Sequence, residues 1–281
     1  MLRLSRRVRA ALLAAGLALG ALSFLPVPHT ASEYIQFSAG NADAAILWDR
    51  DQLIVVDTGL EDGALSGFLR RRRLTPDAVI LTHLHTDHVG GLRSMISDGI
   101  PVRLIYLPAG AEDQLIHEDV RALLAELRAS GTEIRYLAKG DVLPLPSGSL
   151  TALWPEKGGT RPGQDANNYS LAALLSLKGT VMLQAGDLSG IYESYSAVPA
   201  DLLKAAHHGS ASSTSEAFLS VVNPQAILLS CGRISRHEGF SERAGSIPVW
   251  STAVHGALTV RFSEDAFTVI PFVSQSEPGG V

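Results

Sequence analysis

Cysteine is almost missing from this chain of 281 residues: Cys231 stands alone, so no intrachain disulfide can form and thiolate can supply a metal site with a single ligand at most. An excess of positive charge is missing as well. With 23 Lys and Arg against 28 Asp and Glu, the formal net charge is -5, which argues against the broad basic face of a protein that coats nucleic acid but leaves room for a local groove. Aromatic residues are sparse at 6% and charged residues make up 18%, while 46% are hydrophobic, a folded and not a disordered composition. The length suits one large domain or two small ones. Any metal site here must be built from His, Asp and Asn.

Those residue types are concentrated in one place. Leu81-Thr82-His83-Leu84-His85-Thr86-Asp87-His88-Val89-Gly90-Gly91 packs His83, His85, Asp87 and His88 into six residues, directly after the apolar run Ala78-Val79-Ile80-Leu81 and before a Gly-Gly pair that opens a helical pattern. A strand end, a tight loop and a helix start would gather all four. His83 and His85, two apart, point the same way while strand geometry persists. Imidazole and carboxylate together suit zinc, manganese or iron better than calcium or magnesium.

The rest of the chain supports that centre. Arg3, Arg6, Arg7 and Arg9 precede an apolar run from Ala10 to Leu25, which reads as a membrane segment, an uncleaved anchor in preference to a signal peptide, with the arginines inside and everything after Leu25 exported. Strands follow at 33–37, 44–48 and 53–56, the last running into Asp57-Thr58-Gly59. Asp57 is there either an anchor beneath a metal site or, like Thr58, a helix N-cap. Residues 62–73 read as a helix whose Arg70-Arg71-Arg72-Arg73 end is solvated. A helix is expected over 91–98, a strand over 101–106, and the longest amphipathic helix over 111–129, with Leu115 on its apolar side and His117 on it as a surface or packing residue.

A Gly-rich loop from 158 ends in Asn167-Asn168-Tyr169-Ser170 and leads into strands at 171–177 and 180–184 joined by Lys178-Gly179 as a hairpin turn. The second delivers Asp187 at its end. Residues 201–206 form another strand leading to His207-His208-Gly209-Ser210, where adjacent rings diverge and only one need be a ligand. Strands at 224–230, 249–251, 257–262 and 266–270 close the pattern, with His237 on a loop between the first two and a loose Gly/Pro-rich tail at the end. Strands and helices alternate, and each candidate ligand lies just past a strand end, where α/β folds place their sites.

Asp57-Thr58-Gly59, the HLHTDH run at 83–88, Gly186-Asp187 and His207 together resemble the metallo-β-lactamase family, which implies an α/β fold of the αββα four-layer sandwich type over residues 32–281. More narrowly, Asn168-Tyr169-Ser170-Leu171, Ala185-Gly186-Asp187 and Ala206-His207-His208-Gly209-Ser210 resemble the hydrolase domain of ComEC-type DNA-uptake proteins. That resemblance implies two divalent metal ions, zinc or manganese. His83 and His85 would bind one, Asp87, His88 and His207 the other, and Asp187 would bridge them, with Asp87 also orienting the nucleophile. Asn168 stands where many relatives have a histidine. Of the signature usual between the first strands, only Gly40, Asp43 and Ala44 remain.

The expected activity is a phosphodiesterase or nuclease acting on single-stranded DNA at the outer face of the membrane, in company with uptake-channel proteins. The competing readings are a hydrolase of a small ester, lactone or amide and a non-catalytic assembly module of an uptake machine, because a fold does not choose its substrate.

Overall fold

Alternation along a strand assigns its apolar residues to the two faces of its sheet. In the strand Gln52–Thr58, Ile54 and Val56 face one apolar cluster while Leu53 and Val55 face another, and all four are buried. A strand buried on both sides lies in a sheet covered on both faces, which is the first requirement of a four-layer sandwich.

The computed structural model describes residues 29–273 with the exception of residue 62. The expected N-terminal membrane segment and the loose C-terminal tail from residue 274 fall outside that range. Among the described residues no helix is long and apolar enough to cross a membrane.

From Ala31 onward the chain builds two sheets. The first takes β1 (Ser32–Gln36), β2 (Ala44–Asp49), β3 (Gln52–Thr58), β4 (Ala78–Ile80), β5 (Leu104–Pro108) and β6 (Glu133–Leu137). The second takes β7 (Val142–Leu145), β8 (Gly148–Trp154), β9 (Ala172–Leu177), β10 (Thr180–Gln184), β11 (Leu202–Lys204), β12 (Ala226–Leu229) and β13 (Val249–Ser251). The chain then returns to the first through β14 (Leu258–Ser263) and β15 (Ala266–Pro271), giving the orders β15-β14-β1-β2-β3-β4-β5-β6 and β13-β12-β11-β10-β9-β8-β7. In each sheet one part is antiparallel and the rest parallel: β3 to β6 run parallel in the first, β10 to β13 in the second.

Between the sheets lie Tyr34, Leu47, Ile54, Val56 and Ile80 from one side and Leu175, Leu177, Met182, Leu202 and Leu228 from the other. Outside the first sheet, Val55, Val79 and Leu81 pack with Leu69 of α1 (Ala64–Arg72), Val89 of α2 (Thr86–Val89), Leu92 and Met95 of α3 (Gly91–Ser97), and Leu123, Leu124 and Leu127 of α4 (Glu118–Ala129). Outside the second, Leu183, Leu203 and Leu229 pack with Phe218, Leu219 and Val222 of α5 (Glu216–Val222) and Phe240 of α6 (Ile234–Ala244). A short α7 (Thr252–His255) precedes β14. At about 1.5–3 kcal/mol per fully buried large apolar side chain, these three cores supply the main driving force. The αββα four-layer sandwich is therefore the fold.

Several elements depart from expectation. The helix expected over 111–129 begins only at Glu118, with a 3-10 turn over Ala111–Asp113 before it. His117 is its N-cap, in extended geometry, and its Nδ1 accepts from the Asp119 amide at 3.3 Å. Leu115 is exposed instead of packed, because its amide donates to Gln164 O at 2.8 Å and the segment pairs with the Gly-rich loop. The strand expected at 101–106 lies at Leu104–Pro108, and β6, β7 and β8 had no counterpart in the sequence reading. His237 sits on α6 and not on a loop. The four arginines from Arg70 are exposed, as a solvated helix end should be.

Candidate metal centre

The parallel strands point their C-terminal ends to one edge of the sandwich, and that edge carries the polar residues. β3 ends next to Asp57, β4 runs into His83, β10 into Asp187 and β11 into His208. Backbone bonds across the sheets fix this edge: Leu171 N donates to Thr82 O at 2.7 Å, Asp43 N to Asp87 O at 3.2 Å and His207 N to Gly186 O at 3.1 Å. Two glycines let the segments close up. A Cβ on Gly91 would lie 2.0 Å from Thr58 O, and one on Gly186 would lie 2.3 Å from Ser170 Oγ.

Among the described residues Asp43, His88, Asp187 and His208 each offer a ligand atom within 4.8 Å of one another, and all four are buried. His88 Nε2 stands 3.4 Å from Asp187 Oδ2, and His208 Nε2 stands 3.5 Å from both Asp187 Oδ2 and Asp87 Oδ2. The His83 ring packs 4.1 Å from that of His88 and 4.7 Å from that of His85. His85 is the outer member, a third exposed, with Nε2 3.7 Å from Asp165 Oδ1.

Neighbouring acceptors fix the tautomers. Ionised Asp57 can only accept, so His88 Nδ1, 2.8 Å from Asp57 Oδ2, is the donating nitrogen. Ser230 O likewise can only accept from His208 Nδ1, at 3.2 Å. Thr82 Oγ1 donates to Asp57 Oδ2 at 2.7 Å, which leaves it an acceptor for His83 Nδ1 at 3.3 Å. In the neutral form of all three rings Nε2 therefore carries the free lone pair. Each of these Nε2 atoms is buried without a hydrogen-bond partner, as are Asp187 Oδ1 and Asn167 Oδ1. Buried polar atoms left unpaired at one place are costly unless something absent here satisfies them, and imidazole lone pairs beside carboxylates are the donor set of a divalent transition metal. The residues fit a metal.

Electrostatics agree. Asp43, Asp57, Asp87 and Asp187 surround the site, and the buried cation facing them is Lys204, whose Nζ lies 2.6 Å from Asp43 Oδ2. Burial alone would lower the His88 pKa, but Asp187 and Asp57 outweigh it and hold it well above the ordinary value. His208 follows the same pattern, burial being overcome by Asp187, Asp43 and Asp87. Burial with little compensation, and the nearby His88, push His83 well below. Burial works against Asp187, yet His88 and His208 keep it well below the usual carboxylate range. Carboxylates that draw protons onto His88 and His208 in this way make a site that favours positive charge.

Two sequence expectations shift by one residue. His208, not His207, turns into the cluster: both have positive φ of 51°, which breaks the strand alternation, and His207 is only half-buried. Asn167, not Asn168, is the buried amide with an unpaired side-chain oxygen, whereas Asn168 is half-buried and its main-chain carbonyl accepts from Trp154 Nε1 at 2.9 Å. Of the alternatives for Asp57, the anchor beneath the site is the one observed, with Thr82 N also donating to it at 2.7 Å. Asp43 and Lys204 were not foreseen as site residues; a lysine inside Leu202-Leu203-Lys204-Ala205-Ala206 was the available signal.

Two sheets back to back, helices outside and a buried His/Asp cluster at their common edge define a metallohydrolase of the αββα class. The chain belongs to the metallo-beta-lactamase superfamily, whose description matches residues 38–233. It is 30% identical over 208 residues to ComE operon protein 3 of Bacillus subtilis (strain 168), covering 69% of this chain and 26% of that protein. It therefore spans about a quarter of that relative's length. It is also 29% identical over 149 residues to the probable metallo-hydrolase YqgX of the same organism, covering 52% of this chain and 68% of that one. A shorter stretch of 63 residues is 38% identical to hydroxyacylglutathione hydrolase of Edwardsiella ictaluri (strain 93-146), covering 22% and 24% of the two chains. Among solved structures, the metallo-beta-lactamase fold protein YhfI from Bacillus subtilis has a TM-score of 0.56 at 14% identity, covering 81% of this chain and 99% of that one, a likeness of fold.

Proposed function

We propose that this chain is a two-metal phosphodiesterase that cleaves single-stranded DNA during uptake, at the outer face of a membrane to which its N-terminal segment anchors it, alongside uptake-channel proteins. The observation that carries the reading is the convergence of unpaired His83, His88, His208 and Asp187 ligand atoms in a chain 30% identical over 208 residues to ComE operon protein 3. Zinc or manganese held there would supply Lewis-acid polarisation of a phosphodiester and offset its charge.

The side chains have distinct duties. His83 and His85 would form one flank of the ligand set and His88, His208 and Asp87 the other, with Asp187 beside His88 and His208; the buried, unpaired Asn167 oxygen is a further candidate ligand. Asp87 is the carboxylate of the cluster that reaches solvent, one-third exposed, while His208 and His88 hold it ionised below the usual range despite its partial burial. It is thus the carboxylate placed to accept a hydrogen bond from the attacking water and orient it. Asp57, Ser230 and Thr82 position the rings and touch no substrate.

Metal-loaded full chain should cleave single-stranded DNA, and Asp87→Ala should abolish cleavage without unfolding the protein. Elemental analysis should find two divalent ions per chain. The short match to hydroxyacylglutathione hydrolase favours one second reading, a small-ester hydrolase. Turnover of esters or lactones with no DNA cleavage would select it.

A further inference from the structure

A net charge of -5 conceals a local concentration of the opposite sign. Beside the loop that carries His208 lies a cleft of about 260 Å³, with Gly209 and Ala211 on one wall and Arg233, Ser235, Arg236 and Arg243 on the other. None of the described residues lining it is acidic. Arg243 ties the two walls together: its Nη2 donates to Gly209 O at 3.1 Å and Ser210 O at 3.0 Å, and its guanidinium lies 4.8 Å over the Phe240 ring. Its Nε is buried and has no hydrogen-bond partner. Arg233 and Arg236 are exposed, and no side chain caps the start of α6 where they sit.

We propose that this cleft binds a phosphate of the polynucleotide strand, one beyond the phosphodiester that is cleaved; the assignment of the strand rests on the function proposed above. The guanidinium groups of Arg233 and Arg236, with the positive charge of Arg243 behind them, match an oxyanion with several acceptor oxygens, because each of those two forks can bond two oxygens at once. The uncapped first turn of α6 adds amide donors of the same polarity. Location gives the cleft its purpose. Gly209, part of its wall, directly follows His208, part of the metal centre, so the cleft and the centre share one loop. An overall acidic protein can in this way hold a polyanion at one place.

The test uses the full, metal-loaded chain and the double variant Arg233→Ala/Arg236→Ala, whose exposed positions leave the core intact. The probes are an oligothymidylate for binding and a dye phosphodiester that carries only one phosphate for turnover. The variant should bind the oligonucleotide more weakly, and its log affinity should fall less steeply with log salt by about 0.7, the contribution of the one phosphate the cleft holds on a single strand. Turnover of the dye should be unchanged. Equal affinity and salt slope in the two proteins, an equal loss on the dye, or failure of the wild type to bind oligothymidylate overturns the assignment. Arginine-dependent binding without any DNA cleavage by the wild type would leave the cleft standing and overturn the reaction proposed above.

Discussion

Replacing Asp57 tests whether the metal centre is tuned from beneath. The carboxylate is 1% exposed and accepts from Thr82 N at 2.7 Å, Thr82 Oγ1 at 2.7 Å and His88 Nδ1 at 2.8 Å. In Asp57→Ala the hydroxyl of Thr82 can turn to another acceptor, but the Thr82 amide and the His88 ring N–H are left buried and unpaired. Each such donor costs about 1–3 kcal/mol, so the metal-free variant should lose about 2–6 kcal/mol of stability, with Tm falling by about 2–4 °C per kcal/mol in a domain of this size. Freed from Asp57, the His88 ring can adopt the other tautomer and turn its lone pair out of the site. Loss of such an outer partner lowers metal affinity about 10–100-fold. Asp57→Asn, which keeps the shape and one acceptor, should retain most of the stability and lose the affinity. Thermal melts of the metal-free proteins and competition with a chelating indicator measure the two effects. A variant Asp57→Ala that melts like the wild type and binds metal as tightly would refute the argument that His88 is held by Asp57.

Further outcomes follow from the same geometry. His88 has its pKa raised in the metal-free fold, so its contribution to stability is fully present below about pH 6.5, its unfolded value, and is lost as pH rises through the folded one. Metal needs the deprotonated ring, so affinity should climb over that same window with proton release, which calorimetry in buffers of different ionisation heat would detect; affinity independent of pH would contradict it. His208→Ala should remove metal binding while His207→Ala leaves most of it, and the reverse order would show that the observed ring assignment is wrong. Gly91→Ala should destabilise by about 1–3 kcal/mol, because the new methyl would meet the Thr58 carbonyl oxygen at 2.0 Å; an unchanged denaturant midpoint would exclude that close approach.

What the sequence could and could not disclose follows from which physical signal each feature leaves. The alternation of strands and helices was readable because buried strands are short apolar runs, and the αββα order came from the resemblance carried by HLHTDH and the motifs after it. β6 was not, since Glu133 and Arg135 break its apolar pattern and it lies at the edge of the first sheet, where side chains meet solvent. The helix starts only at Glu118 although Leu115 and Ile116 continue an apolar rhythm, because Leu115 is held by the backbone of Gln164, a contact 49 residues away that leaves no local mark. The shifts from His207 to His208 and from Asn168 to Asn167 have a common cause: residue type survives in the sequence, but side-chain direction depends on φ. Alternation predicts direction only while the chain stays extended, and it ends at Lys204 and Trp154. Asp57, His207 and His208 all adopt positive φ without being glycine, a cost of about 1–3 kcal/mol each that the surrounding bonds must sustain. Strain of this kind collects where ligands have to be aimed. A sequence can therefore name the elements of such a site more readily than it can aim them.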